Sequence, residues 1–180
     1  MSDVTPPPSA LRAFILRSVA TENGTEGAPS VLRLWLPGYH TPSLNVTSGR
    51  HWSVYRKHKL AAAVEVLKAV PAVPAYALAR RILLLLSQGG KKAAVRKLRA
   101  QAPARTVTEV TRLTYTRVTI SPLDTENHVG STKGLTDCLV SALPAWLPDD
   151  APEFVEILHK QERCGSLDEE GTWVELRLGQ

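Results

Sequence analysis

Two short stretches of the C-terminal part of the chain carry carboxylates beside predicted strands. Asp124 and Glu126 follow a segment with strand propensity, with Asn127 next in line, and the pair Asp149 and Asp150 precedes a later strand-like segment. On an extended backbone, residues separated by one position point to the same side, so Asp124 and Glu126 are expected to face together. Mg²⁺ takes oxygen ligands of this kind. If the later strand returns beside the first, three carboxylates could converge on a metal ion.

A lysine and a further aspartate lie between these two stretches. Lys133 opens a predicted helix and Asp137 is one turn further along the same face. A lysine beside a metal-bound phosphate can stabilise developing negative charge or orient the attacking water. The same spacing also suits an ordinary surface ion pair worth about 0.3 kcal/mol, and spacing alone favours that interpretation.

The acidic stretches have equally ordinary alternatives. Asp124 and Glu126 are typical of turn chemistry after a strand, and Asp149 and Asp150 are typical of a polar loop between a helix and a strand.

Charge is distributed unevenly along the chain. Residues 1–105 carry 16 Lys and Arg against 4 Asp and Glu, whereas residues 123–180 carry 4 against 12, giving local net charges of +12 and −8. A basic surface favours a polyanion through phosphate contacts, and an acidic region tolerates one when metal ions neutralise it. The asymmetry therefore favours nucleic acid as a partner, although lopsided charge also occurs by chance.

Length and composition narrow the class of protein. At 180 residues, with 43% hydrophobic residues, one globular domain is expected. Cys138 and Cys164 lie far apart without a CxxC spacing, so neither a disulfide framework nor a zinc-thiolate site is indicated. The longest purely apolar run is Ile82 to Leu86, and no signal peptide is apparent, so we expect a cytoplasmic protein without a membrane span.

The N-terminal part is expected to supply one strand and three helices. Residues 1–29 are expected to be a flexible segment. Alternating apolar residues predict a strand over 30–36, and helix formers predict a basic amphipathic helix over 52–70. Prolines 71 and 74 end that helix; helices over 76–87 and 91–102 follow, divided by Gly89 and Gly90. The stretch 71–105 is thus a basic helical segment.

The C-terminal part alternates strands with a helix. Residues 106–120 predict a long strand or a hairpin, and i, i+3, i+4 spacing predicts a helix over 131–143 that packs on a sheet. Residues 153–161 and 173–178 predict two strands joined by a turn. Together these elements predict an α/β or α+β domain with a mixed sheet packed by helices.

The acidic motifs as an ordered set resemble a known family. The run from Leu123 to Leu139 (LDTENHVGSTKGLTDCL), followed by Leu147-Pro-Asp-Asp, resembles the RusA-like Holliday junction resolvases of phages and prophages, whose pattern is Asp-x-Asp-Asn, a Lys, an Asp four residues on, and an Asp-Asp pair before a strand. The strand and loop over 34–45, with its Pro-Ser-Leu-Asn, and the strands over 155–161 and 173–178 extend the likeness to about residues 30–178. The segment 71–105 would then be an insertion in a RusA-like nuclease domain that spans 30–180.

The resemblance implies a Mg²⁺-dependent endonuclease that acts as a homodimer on branched DNA, with Mn²⁺ as an alternative metal. It assigns Asp124, Glu126 and Asp150 as metal ligands and Lys133 as the catalytic lysine. The supporting positions would be Asn127, Asp137 and Asp149. Two departures stand out, because Glu126 replaces the family's second aspartate and Lys133 lies farther from the acidic loop than in the shortest members.

Substrate contacts are expected from the basic helices. The residues predicted to touch phosphates are Arg56, Lys57, Lys59, Arg80, Arg81, Lys91, Lys92, Arg96, Lys97 and Arg99. Two further hypotheses remain open. Residues 76–102 read as helix, turn and basic helix, which is also typical of a non-catalytic helix-turn-helix DNA-binding protein. Glu126 could alternatively mark an inactive junction-binding member of the nuclease family.

Overall fold

A mixed sheet forms the centre of the chain, and the helices pack against it. The computed structural model describes residues 31–42, 52–102 and 110–179. Its strands are β1 (Val31–Pro37), β2 (Thr111–Thr119), β3 (Val155–Arg163) and β4 (Gly171–Arg177), and its helices are α1 (Trp52–Ala69), α2 (Ala77–Ser87), α3 (Lys92–Arg99), α4 (Thr125–Ser131) and α5 (Lys133–Ala142). The predicted α+β domain with a mixed sheet is confirmed. The predicted flexible segment 1–29 and the loop residues 43–51 lie outside the described residues.

The order of strands in the sheet is β1-β4-β2-β3. β4 pairs antiparallel with both β1 and β2, whereas β2 and β3 run parallel, with Thr111 opposite Val155 and Thr119 opposite Arg163. Parallel neighbours need a crossover connection, which α4 and α5 provide. The expectation that β3 returns beside β2 is therefore confirmed. β3 and β4, although consecutive, do not pair with each other, because β2 lies between them.

Alternating side chains of the strands form one wall of the core. Leu32, Leu34 and Leu36 of β1 are at most 2% exposed, and Leu113 and Tyr115 of β2 are fully buried. Full burial of a leucine stabilises the fold by roughly 1.5–3 kcal/mol, so these residues determine which face of the sheet packs against the helices.

The helical side of the core differs in detail from the amphipathic pattern of the sequence. Taken alone, α1 suggests a stripe that includes Ala61 and Val64, but both are exposed. The buried positions are instead Ala62, Ala63 and Val66. Small alanines allow α1 to approach its neighbours closely, so packing contacts and not side-chain size decide which face is buried.

The two described helices of the basic segment, α2 and α3, are separated by a tight turn. At the end of α2, Gly89 has φ +70° and donates its N–H to Leu86 O at 2.9 Å, while Gly90 donates to Leu85 O at 2.8 Å. This pair of bonds is the Schellman arrangement that ends helices at a glycine, as the sequence predicted. A Cβ on Gly90 would lie 2.4 Å from a Leu85 methyl carbon, so only glycine fits there. α3 then begins at Lys92.

Among the described helices, none combines the length and apolar character needed to cross a bilayer.

Candidate functional site

Asp124 caps the N-terminus of α4. Its Oδ1 accepts the backbone N–H of Asn127 at 2.9 Å, and its Oδ2 accepts the Asn127 side-chain amide at 2.5 Å. These two hydrogen bonds, the backbone one first, hold the pKa of Asp124 below its ordinary value. Asp124 is therefore an exposed, ionised carboxylate at the positive end of a short helix.

Glu126 occupies the first turn of α4, and this corrects the expected geometry of the acidic loop. The prediction that Asp124 and Glu126 share one side of an extended strand is wrong, because the chain has already turned into a helix at Thr125. Asp124 at the cap position and Asn127 three residues later favour helix initiation over strand continuation. Glu126 is exposed.

β3 holds the acidic loop in place through Gln161, a residue that the sequence analysis missed. The Gln161 side chain accepts the N–H of Leu123 at 2.9 Å and donates to its carbonyl oxygen at 2.8 Å. The position of Asp124 thus depends on β3 as well as on β2. No sequence motif signals this contact, which joins residues 38 positions apart.

Two histidines, of which His128 is buried and His159 is half-buried, connect α4 and the start of α5 to β3. His128 Nε2 lies 3.1 Å from Lys160 O, and His159 Nε2 lies 2.9 Å from Thr132 Oγ1. The rings contact each other edge to face, with centroids 5.5 Å apart. Burial lowers the pKa of both imidazoles, and the neighbouring His159 lowers that of His128 further. The pair is therefore neutral in the folded protein at neutral pH.

Lys133 joins the two aspartates that the sequence places on either side of it. Its Nζ lies 2.5 Å from Asp150 Oδ2 and 3.1 Å from Asp137 Oδ1. The bond to Asp150, with Asp137 contributing less, raises the pKa of Lys133, and Lys133 in turn lowers the pKa of Asp150. Asp149 Oδ1 accepts the backbone N–H of Asp150 at 2.7 Å and so orients its neighbour.

α1 extends this cluster by two residues. The Tyr55 hydroxyl donates to Asp137 Oδ2, and Lys59 Nζ lies 3.7 Å from the same oxygen. Burial and the Asp137 carboxylate both raise the pKa of Tyr55, which stays a hydrogen-bond donor. Lys59 is one of the predicted phosphate contacts, whereas Tyr55 is not among the predicted site residues. Their i, i+4 spacing on one face of a predicted helix was the available signal.

A basic groove opens beside this cluster, between α1, the α2–α3 turn and α5. Its volume is about 690 Å³. The lining residues are Tyr55, Arg56, Lys59, Leu60, Leu86, Gly89, Gly90, Lys91, Lys92, Val95 and Ser141. Among the residues that the structure describes, the lining includes four cationic side chains and no acidic one.

The other predicted phosphate contacts divide into two groups. Lys57, Arg81, Arg96 and Lys97 are exposed on the helices. Arg80 instead donates to the carbonyls of Leu67 at 3.1 Å and Val70 at 2.5 Å, and Arg99 donates to Pro148 O. Arg80 and Arg99 thus connect separate elements of the fold, so we expect them to stabilise the structure more than they contact DNA.

The predicted metal ligands stay a prediction, because the described residues show no assembled metal site. Asp124, Glu126 and Asp150 carry the hard oxygen donors that suit Mg²⁺. Within residues 31–42, 52–102 and 110–179, no three Asp, Glu, His or Cys side chains form a group that could hold a metal ion. Parallel pairing explains this, because the end of β2 and the start of β3 lie at opposite ends of the strand pair. Only the loops could bring Asp150 toward Asp124.

Comparison with known proteins leaves the family open. No protein family, curated protein or solved structure matches this chain. The resemblance to RusA-like resolvases therefore stays a prediction, carried by the motif residues alone. What the fold adds is the cluster of Lys133, Asp137 and Asp150 and the basic groove beside it.

Proposed function

We propose that this protein is a Mg²⁺-dependent endonuclease that cuts branched DNA such as Holliday junctions. The observation that carries the proposal is the position of Lys133, which is bonded to both Asp137 and Asp150. Asp137 in turn contacts Tyr55 and Lys59, and these two residues line the groove with its cations. Ionised carboxylates, a protonated lysine and a basic approach surface are the parts that phosphodiester hydrolysis requires.

Each part has a distinct role in this proposal. Asp124, Glu126 and Asp150 are the residues that would hold the ion, and this requires the loops that carry them to bring the three carboxylates together. When bound, the ion would supply an activated water and neutralise charge on the phosphate. Lys133, whose pKa is raised by its carboxylate partners, stays protonated and donates a hydrogen bond to the scissile phosphate. Asp137 positions the lysine amine, and Tyr55 positions Asp137.

DNA affinity comes from the exposed cations of the helical side. Arg56 and Lys57 of α1, with Lys91, Lys92, Arg96 and Lys97 of the α3 region, are exposed or line the groove. Phosphate contacts of this kind release counterions, so the affinity for DNA is expected to fall steeply as salt rises.

Cleavage of a synthetic four-way junction tests the proposal. With Mg²⁺ the wild-type protein should cut paired strands, and with EDTA it should not. Lys133→Ala and Asp150→Asn should each reduce the rate by about 100-fold or more, since each removes charge stabilisation at the reacting phosphate. Lys160→Ala, an exposed lysine on β3, is the matched control and should cut at the wild-type rate. Full Mg²⁺-dependent cleavage by both site variants would refute the assignment.

A homodimer is part of the same proposal. A two-fold symmetric junction needs two active sites to cut two strands in register. Light scattering of the purified protein, alone and with junction DNA, measures the mass directly. A monomer that remains a monomer on the junction would leave paired cutting without a structural basis. Cytoplasmic localisation likewise stays a prediction.

A non-catalytic DNA-binding protein is the second candidate. It is favoured by one observation, namely that both oxygens of Asp124 are bonded within α4 and that Asp150 is already paired with Lys133. Such a protein would bind DNA equally well with and without Mg²⁺ and would leave it intact. Footprinting on duplex DNA, beside gel-shift measurement on a junction, separates a sequence-specific regulator from an inactive junction binder.

A further inference from the structure

The basic groove has two kinds of surface. Its rim carries the cations, of which Lys91 and Lys92 are exposed and have no ion pair within the part of the chain that the structure describes. Its walls include the apolar side chains Leu60, Leu86 and Val95. A site that only gripped the phosphates of a duplex would need the cations alone, because the bases of a duplex are stacked inside.

The size and position of the groove narrow the choice of ligand. A volume of about 690 Å³ falls within the roughly 300–1,000 Å³ of pockets that hold small ligands, and a duplex does not fit inside such a space. Tyr55 lines the groove and donates its hydroxyl to Asp137, which also contacts Lys133, so the Tyr55 ring connects the groove to the lysine cluster. An aromatic ring and an apolar wall beside cations are what unpaired bases and their phosphates bind.

The glycine turn before Lys91 and Lys92 gives this side of the groove a fixed backbone conformation. The Schellman turn at Gly89 and Gly90 fixes the start of α3, and a Cβ on Gly89 would lie 3.2 Å from the Arg56 guanidinium. The Arg56 side chain is therefore packed against the turn. Lys91 and Lys92 follow directly, which places their backbone at the mouth of the groove.

We propose that this groove binds an unpaired nucleotide of branched DNA, with the base against Leu60, Leu86 and Val95 and the flanking phosphates on Lys91 and Lys92. The choice of branched DNA as the ligand rests on the proposed function. A strand held in this way passes Tyr55 and Lys59 on its route toward Lys133 and Asp150. The groove thereby selects DNA with an unpaired segment at the branch point over continuous duplex, and a four-way junction offers such a segment where base pairs at its crossover open.

Binding measured without metal tests the groove separately from catalysis. In EDTA, fluorescence anisotropy of a labelled oligothymidine of about 12 nucleotides is compared with that of a blunt duplex of the same length. The double variant Lys91→Gln/Lys92→Gln should weaken oligothymidine binding by about tenfold and duplex binding by clearly less. Arg96→Gln/Lys97→Gln removes the same charge from exposed positions of α3 that do not line the groove. This control should weaken both ligands to a similar, smaller extent.

A second variant tests the apolar part of the groove. Ser141→Phe places a ring into the groove without changing charge, and it should weaken binding of oligothymidine while leaving duplex binding unchanged. Thermal unfolding of each variant checks that the fold is retained. Equal losses for the two double variants, or a Ser141→Phe protein that binds oligothymidine at full strength, would overturn the groove assignment. Groove-dependent binding by a protein that never cleaves a junction would instead refute only the nuclease proposal.

Discussion

The amine of Lys133 lies 2.5 Å from Oδ2 of Asp150, although the two residues are 17 positions apart and belong to α5 and to the loop before β3. The side chains are 60% and 33% exposed, so water screens the pair. Ion pairs this exposed contribute roughly 0–1 kcal/mol to stability. Because the contact does little for the fold, its main consequence is to hold a protonated lysine beside carboxylates.

The first prediction concerns stability around this pair. Lys133→Ala should lower the free energy of unfolding by less than about 1 kcal/mol, measured by urea denaturation. Because the pKa of Lys133 is raised in the folded protein, Lys133 contributes stability that is fully present below pH 10.5. This stability is lost as the pH rises through the pKa of Lys133 in the folded protein. Because the pKa of Asp150 is lowered in the folded protein, Asp150 contributes stability that is fully present above pH 3.8. This stability is lost as the pH falls through the pKa of Asp150 in the folded protein. Between those limits the pair should add no pH dependence, and a slope removed by Lys133→Ala at neutral pH would contradict this.

The second prediction separates the two roles of Asp124. Asp124→Ser keeps an oxygen that can cap α4 but removes the carboxylate, whereas Asp124→Ala removes both. We expect the serine variant to unfold near the wild-type temperature and the alanine variant to unfold at a lower one, by thermal denaturation. If Asp124 is a metal ligand, both variants should lose Mg²⁺-dependent cleavage. A serine variant that is as stable as wild type and still cleaves would leave Asp124 as a helix cap only.

The third prediction addresses Tyr55 as a positioning residue. Tyr55→Phe removes the hydroxyl that donates to Asp137 and keeps the ring against the groove. We expect a loss of about 1 kcal/mol in unfolding free energy, because Asp137 retains Lys59 and Lys133 as partners. For a positioning role, the cleavage rate should fall about tenfold while KM for the junction stays unchanged. A change in KM alone would point to DNA contact and not to alignment of Lys133.

The fourth prediction concerns the histidines His128 and His159. Burial lowers the pKa of both below 6.5, so the unfolded chain binds more protons than the folded chain as pH falls past that value. The stability that these neutral rings contribute is present above pH 6.5 and is lost as pH falls through the folded values. Urea denaturation across this range should therefore show unfolding free energy decreasing toward acid. His159→Gln should reduce that slope, and an unchanged slope would locate the acid sensitivity elsewhere.

Much of the architecture could be predicted from local patterns. The local signals are the alternating apolar residues of β1, the helix-forming residues of α1 and the glycine pair after α2. Each acts over a few neighbouring residues, so the elements and the α+β class can be predicted from them. The packed face of α1 did not, because it depends on which neighbours approach its alanines. The pairing of β4 between β1 and β2 also depends on distant parts of the chain.

The candidate site shows the same division. The residue types of the site can be identified from the sequence alone. They are the carboxylates at 124, 126 and 150, the lysine at 133 and the excess of cations over residues 56–105. The cap that Asp124 forms on α4 is a local contact with Asn127. The tertiary structure adds that Gln161 holds the loop before Asp124 and that Tyr55 reaches Asp137. These contacts join residues up to 82 positions apart. No local propensity encodes them, since they form only when packing of the helices on the sheet brings those segments together.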